Sequence, residues 1–271
     1  MSIRQIIKKA NSFTGVANDS QATLKIDGGP TIDEIIIDTN GTITDSSKIK
    51  LVSLVLNGEE IVRATGAQLK MLENYKKLSA DNDKFVIPFS DITANTLEGQ
   101  QITGLVTFPH DNVILNVELG DISPAAPQIK AHLKVSPSTP VRTFLPMIRQ
   151  ITFTPDATGE NDFTTLLRGP AYRRIHLKGD VAGMRIVKDG IEYMNTTKGV
   201  NDLLLRRSGL TPQSGYFHID FIKSHWNKVD MFRTDDVVES LAIKPDVNTV
   251  AAMTMLVESL TMFKTPEKRL V

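Results

Sequence analysis

The two halves of the chain carry the same succession of elements. Leu51–Leu56 runs into Asn57-Gly58, then Gly66, a helical stretch over 67–78 and the strand-like Phe85–Phe89. Met184–Val187 runs into Asp189-Gly190, then Gly199, a helical stretch over 200–210 and Phe217–Phe221. The offsets from Gly58 to Gly190, Gly66 to Gly199 and Phe85 to Phe217 are 132, 133 and 132 residues. Leu105–Pro109 against Leu241–Pro245, at an offset of 136, reads as a further echo. Solenoid units repeat every ~20–50 residues, so a period this long means a duplicated domain. A chain of 271 residues then holds two domains, each long enough to bury a core of its own.

Strand signals dominate both halves. Thr31–Asp38, Ile49–Leu56, Val113–Leu119, Ile148–Thr154, Tyr172–Lys178 and Tyr216–Phe221 are rich in Ile, Val, Thr and aromatic residues. In the last of these Phe217, Ile219 and Phe221 share one face, and Tyr216, His218 and Asp220 the other. Asn57-Gly58 and Asp189-Gly190 are hairpin turns, because Asn and Asp tolerate positive φ and Gly adopts it freely. One helix recurs per half. Leu69, Leu72, Tyr75 and Leu78 form the apolar face of the first, with Lys70, Glu73, Lys76 and Lys77 largely elsewhere; Val200, Leu203, Leu204 and Leu210 form that of the second. Many short strands separated by turn residues read as a sandwich or barrel. The fold expected is mainly β: two tandem jelly-roll β-sandwiches or barrels, each with one short helix, plus a short N-terminal helix.

Seven of the 13 prolines fall between Asp121 and Pro170. Proline lacks a ladder donor and restricts its neighbour, so this stretch should be extended and irregular, with the domain switch near Ser136–Pro140. Gln128–Val135 is either a last strand of the first domain or a connecting strand. The expected division is an N-terminal arm over 1–14, a first jelly roll over 15–136 and a second over 137–271.

The chemistry-bearing residues form no catalytic constellation. Cysteine is absent, which removes disulfides, thiolate catalysis and zinc–thiolate sites and suits folding in a reducing cytoplasm. Of the five histidines, none makes His-Glu-x-x-His or His-x-His, and the nearest pair, His218 and His225, would point to opposite faces of a continued strand. No nucleophile elbow or phosphate loop is present, and Gly28-Gly29-Pro30 is a turn. Asp33-Glu34 and Asp235-Asp236 could offer oxygen ligands to calcium, but adjacent acids are more often loop or cap residues, and Thr234 before Asp235 suits a helix start. Catalytic and cofactor-binding residues are therefore expected to be none, and metal ligands are not assigned. Lys+Arg equals Asp+Glu at 31 each, without the basic excess of a nucleic-acid binder. No run of apolar residues is long enough for a transmembrane helix, and the N-terminus lacks a signal peptide's apolar core.

Two features suggest contact with something else. Ile3, Ile6 and Ile7 fall on one face of an N-terminal helix, with Arg4, Lys8 and Lys9 supplying charge, the pattern of a helix lying on a membrane surface or docking on a partner. So short a helix is marginal alone, and the segment reads equally as a frayed basic terminus. Trp226, the only tryptophan, sits in a polar loop where it could anchor an interface or simply cap the sandwich.

The stretch Ala171-Tyr-Arg-Arg-Ile-His-Leu-Lys178 resembles a Tyr-Arg-containing strand, ending in Ile-His-Ile-Lys, of the major capsid proteins of corticovirus-like, membrane-containing tailless phages of the double jelly-roll lineage. Asp189-Gly190, Leu203-Leu204, His218-Ile-Asp-Phe221 (Thr-Ile-Asp-Phe in the family), Leu241–Lys244 and Val257-Glu258 follow in the family's order. A family Trp between turn and helix is missing here, and the first half matches mainly in layout. The resemblance implies a coat protein of the virion, made in the host bacterial cytoplasm, that forms pseudo-hexagonal homotrimers tiling an icosahedral shell over an internal membrane. It implies as partners neighbouring trimers, minor capsid, vertex or membrane proteins and the lipid bilayer, without direct nucleic-acid contact, and it brings calcium as a candidate ligand. The alternative from the residues alone is a two-domain jelly-roll carbohydrate-binding protein or glycan-active enzyme, which should show convergent carboxylates or stacked aromatics in a cleft.

Overall fold

The computed structural model describes residues 5–78, 81–163, 166 and 168–268. The first half contains β1 (Ile6–Lys9), β2 (Gln21–Asp27), β3 (Thr31–Asp38), β4 (Ile49–Leu56), β5 (Glu59–Ala64), α1 (Gly66–Lys76), β6 (Lys84–Pro88), α2 (Leu97–Gln101), β7 (Leu105–Val106), β8 (Asn112–Leu119) and β9 (Lys130–Ser136). The second contains β10 (Val141–Phe153), β11 (Gly159–Glu160), β12 (Ala171–Lys178), β13 (Val181–Lys188), β14 (Ile191–Thr197), α3 (Lys198–Arg207), β15 (Tyr216–Asp220), α4 (Asn227–Asp230), β16 (Phe232–Arg233), β17 (Leu241–Val247) and β18 (Met253–Lys268).

Each half pairs its strands in the same order. In the first, β1-β9-β3-β6 faces β2-β8-β4-β5, and β7 pairs with β3. In the second, β10-β18-β12-β15 faces β11-β17-β13-β14, and β16 pairs with β12. These are two jelly rolls of one topology. Even the bulges repeat: the extra residue is Asp33 in β3 and Arg173 in β12, Ile61 in β5 and Tyr193 in β14. The hairpin turns form as expected, with Asn57 and Gly58 at φ 51° and 91° and Asp189 and Gly190 at 49° and 78°.

The structure corrects several expectations. The N-terminal helix is a strand: Ile6–Lys9 pairs antiparallel with Val135–His132 of β9. Nine or ten residues make a marginal helix alone, whereas the open edge of β9 offers a full ladder of partners. These residues therefore belong to the first barrel's sheet and not to a separate arm; Ile3 and Arg4 lie outside the described residues. The Leu105 and Leu241 echo falls on non-equivalent elements, since β17 corresponds to β8 and β7 to β16. No helix follows Thr234, whose hydroxyl instead donates to the carbonyl of Pro170 at 2.7 Å. The proline-rich stretch is more regular than expected: β9 is the first barrel's last strand, and Pro146 sits inside the 13-residue β10. Beyond the two equivalent helices, α2 and α4 add short turns where the barrels meet.

The equivalent helices differ in what covers them. In α1, Leu69, Leu72 and Tyr75 are buried as expected, but so are Glu73 and Lys76. In α3 most of the expected apolar face turns outward: Val200, Leu203 and Leu204 are 53%, 51% and 40% exposed, Leu205 is buried in their place, and of the expected residues Leu210, beyond the helix end, is buried. Their caps differ as well. Thr65 makes a full capping box with Gln68, while Thr197 makes no side-chain cap bond. Thr65→Ala should lower stability by about 1 kcal/mol and Thr197→Ala by much less; urea unfolding of the two variants gives the comparison.

The apolar core continues from one barrel into the other. The first barrel's cluster takes in Ile148, Leu205, Leu210 and Leu256 of the second half, and the second barrel has its own cluster around Phe153, Ile175, Phe217, Ile243 and Val257. At the seam Ile148 of β10 pairs in parallel with Val62 of β5, so one sheet of each barrel runs into the other.

Candidate functional site: a buried ionic junction between the barrels

The bulge in β12 sets up the most unusual feature of the chain. Adjacent strand residues normally point to opposite faces, but an extra residue breaks the alternation, and Arg173 and Arg174 both reach the seam with the first barrel. Arg174 donates to Asp220 and to Asp91, each at 2.8 Å, and lies 3.5 Å from Glu258. Arg173 lies 3.3 Å from Asp91 and 3.8 Å from Glu258. Lys76, at the end of α1, lies 3.7 Å from Glu258. Tyr75 donates its hydroxyl to Asp220 at 2.9 Å. Lys76, Tyr75 and Asp91 come from the first barrel and the others from the second, so the cluster ties the two together. Three cations face three carboxylates, all nearly inaccessible to solvent.

The electrostatics follow from that balance. Burial pushes the Glu258 carboxyl up, but Lys76, Arg174, the His176 hydrogen bond and Arg173 outweigh it and hold the group well below the usual range. Asp91 is likewise raised by burial and brought well below its ordinary value by Arg174, Lys76 and Arg173. Burial opposes the charge on Arg174, but Asp220, Asp91 and Glu258 keep it firmly protonated. Burial, with Asp220 beside it, drives the Tyr75 phenol well above its normal range.

Beside the ions lies a histidine pair. His176 and His218 are cross-strand partners on β12 and β15, with their Nδ1 atoms 2.7 Å apart. The Nε2 of His176 is 3.3 Å from Glu258, and the Nε2 of His218 accepts from the amide of Gln213 at 2.9 Å. One arrangement satisfies all four nitrogens: His218 donates from Nδ1 to His176, and His176 donates from Nε2 to Glu258. Both rings are then neutral, and a second proton on either would confront an existing N–H. Burial, aided by His176 and Lys198, draws the His218 pKa down to about 2. Burial also lowers that of His176. In sequence the histidine nearest to His218 is His225, which spacing put on the opposite face; the actual partner stands 42 residues away, across a ladder that spacing cannot reveal.

A second junction joins the barrels near the other end of the seam. Arg142 of β10 is paired with Asp111, stacks 4.6 Å over the Phe108 ring and donates to the Val106 carbonyl at 2.9 Å. Asp111 also accepts from Asn57 at 2.7 Å and from the Phe108 amide at 2.7 Å. Lys228 reaches Glu98 at 2.6 Å, and Asn227 donates to the Gly99 carbonyl at 3.1 Å.

The other sequence candidates are dispersed. Ile6 and Ile7 are 60% and 70% exposed, but in a strand they point to opposite faces, so the one-sided isoleucine stripe does not form. Lys8 and Lys9 are exposed on the same strand. Trp226 is 51% exposed and precedes α4. The acidic pairs do not fit calcium. Asp33 accepts from Ser90 at 2.6 Å and Ser136 at 2.5 Å, Glu34 pairs with Lys134, Asp235 with Arg233 and Asp236 with Lys188. Among the described residues no three His, Asp or Glu side chains are grouped to hold a metal. A cleft of about 760 Å³ opens at the seam, and its carboxylates, Asp33 and Glu98, are both already paired.

The family models of the viral coat protein P2 N-terminal and C-terminal domains match residues 7–136 and 145–263. The chain belongs to the viral coat protein P2 family. The coat protein is a structural component of the virion capsid and not an enzyme. Its fold is that of the major capsid protein P2 of bacteriophage PM2, with a TM-score of 0.86, 21% identity, and coverage of 96% of this chain and 98% of that one. The major capsid protein of Sulfolobus turreted icosahedral virus gives a TM-score of 0.68 at 12% identity, covering 96% and 97%. The Faustovirus major capsid protein gives 0.59 at 8% identity, covering 97% and 91%. At these identities what is shared is the double jelly roll. No curated protein sequence matches the coat protein.

Proposed function

We propose that the coat protein forms homotrimers of pseudo-hexagonal outline that tile an icosahedral shell over an internal lipid bilayer. The observation that carries this reading is the repeated topology. Two barrels of one design stand side by side in each subunit, so three subunits present six similar units around an axis. Such a block can meet its neighbours through few kinds of contact. The two junctions serve this role by fixing how one barrel sits on the other. The barrel boundary falls between β9 and β10, within residues 137–140. Zero net charge supports a shell separated from its genome by a bilayer, with no need for a basic lining. Neighbouring trimers, minor capsid, vertex or membrane proteins and the bilayer are the partners on this reading.

Light scattering of the purified protein should give the mass of three chains, and electron micrographs should show hexagonal outlines. A monomer at every concentration would refute the reading. On the same reading the N-terminal segment lies toward the bilayer, with Ile3, Arg4, Ile6, Lys8 and Lys9 as its candidates for lipid contact. Reversing the charges of Arg4, Lys8 and Lys9 should then weaken flotation of assembled coats with anionic liposomes, at about 1 kcal/mol per basic residue near the surface. Unchanged flotation would exclude that role.

A further inference from the structure

The contact between the barrels inside the chain has a counterpart on the chain's free sides. Within the chain the first barrel presents β5 and α1, and the second answers with β10 and the outer face of its β10-β18-β12-β15 sheet. Val62 and Ile148 pair in parallel at the seam, and both are buried, at 0% and 2% exposure. The repeated register identifies the equivalent residues on the unpaired sides. Ile7 lies opposite Lys134 as Ile148 lies opposite Glu258, and Lys134 and Glu258 in turn pair with Glu34 and Arg174, each the first residue past its bulge. Ile7 is therefore the counterpart of Ile148. Met194 pairs with Ile186 as Val62 pairs with Leu54, each next to the bulged Tyr193 or Ile61. Met194 is therefore the counterpart of Val62.

These counterparts are open. Ile7 is 70% exposed, and Met194 is half-buried on the outermost strand of its sheet. Their surroundings are incomplete in the same way. Helix α1, which packs on its own barrel and meets the second through Tyr75 and Lys76, buries eight of its 11 residues, whereas α3 buries two of ten and leaves Val200, Leu203 and Leu204 in solvent. Tyr75 of α1 lies against His176 and His218. The counterparts of those two in the first barrel are Ile36 and Val86, a cross-strand pair that is half-buried and apolar. The Arg174–Glu258 pair has its counterpart in Glu34–Lys134, 3.2 Å apart with the signs exchanged.

We infer that Ile7 of one copy and Met194 of the next make the strand contact that Ile148 and Val62 make within the chain, bringing α3, whose exposed Val200, Leu203 and Leu204 occupy the places of the buried Gln68, Met71 and Leu72 of α1, against the side of the neighbouring copy that carries Ile36 and Val86. The occupant of both open edges is thus a second copy of this chain. An apolar helix face meets an apolar sheet face, and each copy offers one of each. Such a contact is head-to-tail, so it propagates from copy to copy instead of ending at a pair, and on the trimer reading it closes as a ring of three. This rests on the trimer reading above and assigns its interface. It also gives Ile7 to the subunit contact, leaving the bilayer to the other N-terminal residues.

The chain's lack of cysteine makes the test clean. Paired strand residues stand close enough for a disulfide. On mild oxidation the Ile7→Cys, Met194→Cys double variant should move most chains from the monomer band to a reducible band of three chains. Each single variant alone should stay uncrosslinked, and a mixture of the two should give linked pairs. Leu203→Asp and Leu204→Asp, both at exposed positions, should shift the mass from trimer to monomer while the circular dichroism spectrum of the folded chain stays unchanged. A trimer by light scattering that yields no cross-link, or a self-linking Ile7→Cys variant, would overturn the assigned contact and leave the trimer standing. A wild-type monomer would remove the trimer reading and this contact with it.

Discussion

Replacing Arg174 with methionine is expected to destabilise the coat protein by about 3–5 kcal/mol, the usual cost of removing one partner from a buried ion pair. Domains of ordinary size are stable by only about 5–15 kcal/mol, so much of the margin goes. The reason is local. Arg174 stands between Asp91, Asp220 and Glu258, and without it three buried carboxylates share Lys76 and Arg173. Denaturant unfolding should show the midpoint fall sharply. Arg63→Met, at an exposed pair with Glu60 (3.2 Å), should change stability by less than about 1 kcal/mol. Acid separates charge from packing. Without Arg174 the carboxylates protonate more readily, so the gap between variant and wild type should narrow as pH falls through the carboxylate range. A gap that stays constant with pH would mean that the guanidinium acts through its packing alone.

Lowering the pH from 7 to 5 is the second change with a large expected effect. The folded pKa of His218, about 2, lies below the unfolded value of 6.5, so the unfolded chain takes up the proton first. Stability is therefore lost as pH falls below 6.5 and continues to fall toward pH 2. From this residue alone the loss by pH 5 is about 2 kcal/mol. His176, also lowered, adds to it. Glu258 and Asp91 are held below their unfolded values. Their contribution persists above the unfolded carboxylate range and goes only as pH drops through their folded pKa. The decline between pH 6.5 and 5 is thus the histidines' own. The His218→Gln variant should flatten it, and thermal unfolding across that window measures the difference. An equal slope in the variant would show that the pair does not control acid stability.

Much of the fold was legible because its signals are local. A period-two pattern, an Asn-Gly or Asp-Gly turn and an apolar stripe at helical spacing each need only a few neighbouring residues, so β3, β4, both hairpins and α1 stand where the sequence placed them. The misreadings came where a distant partner decides. Val200, Leu203 and Leu204 have core spacing, but spacing does not say whether a core is present on that side. Ile6–Lys9 has a helical charge pattern, but the free edge of β9 supplies hydrogen bonds that an isolated short helix lacks. Lys76 looked solvated, yet it meets Glu258 from the other barrel. His176 and His218 carried no motif, and only their cross-strand register makes them a pair.

The sequence by itself determined that this is a cysteine-free, mainly β protein built from one domain design used twice, and its motif order pointed to a capsid family. Those properties are written in residue types and offsets, which survive without coordinates. The tertiary structure alone decided how the two copies face each other. It brought two arginines through a bulge into a sealed cluster with three carboxylates, and it left on the outer flanks the counterparts of a contact already made inside. Such facts depend on which strands become neighbours across more than a hundred residues. That choice is made by burying apolar surface and balancing charge over the whole chain, and no local pattern records it.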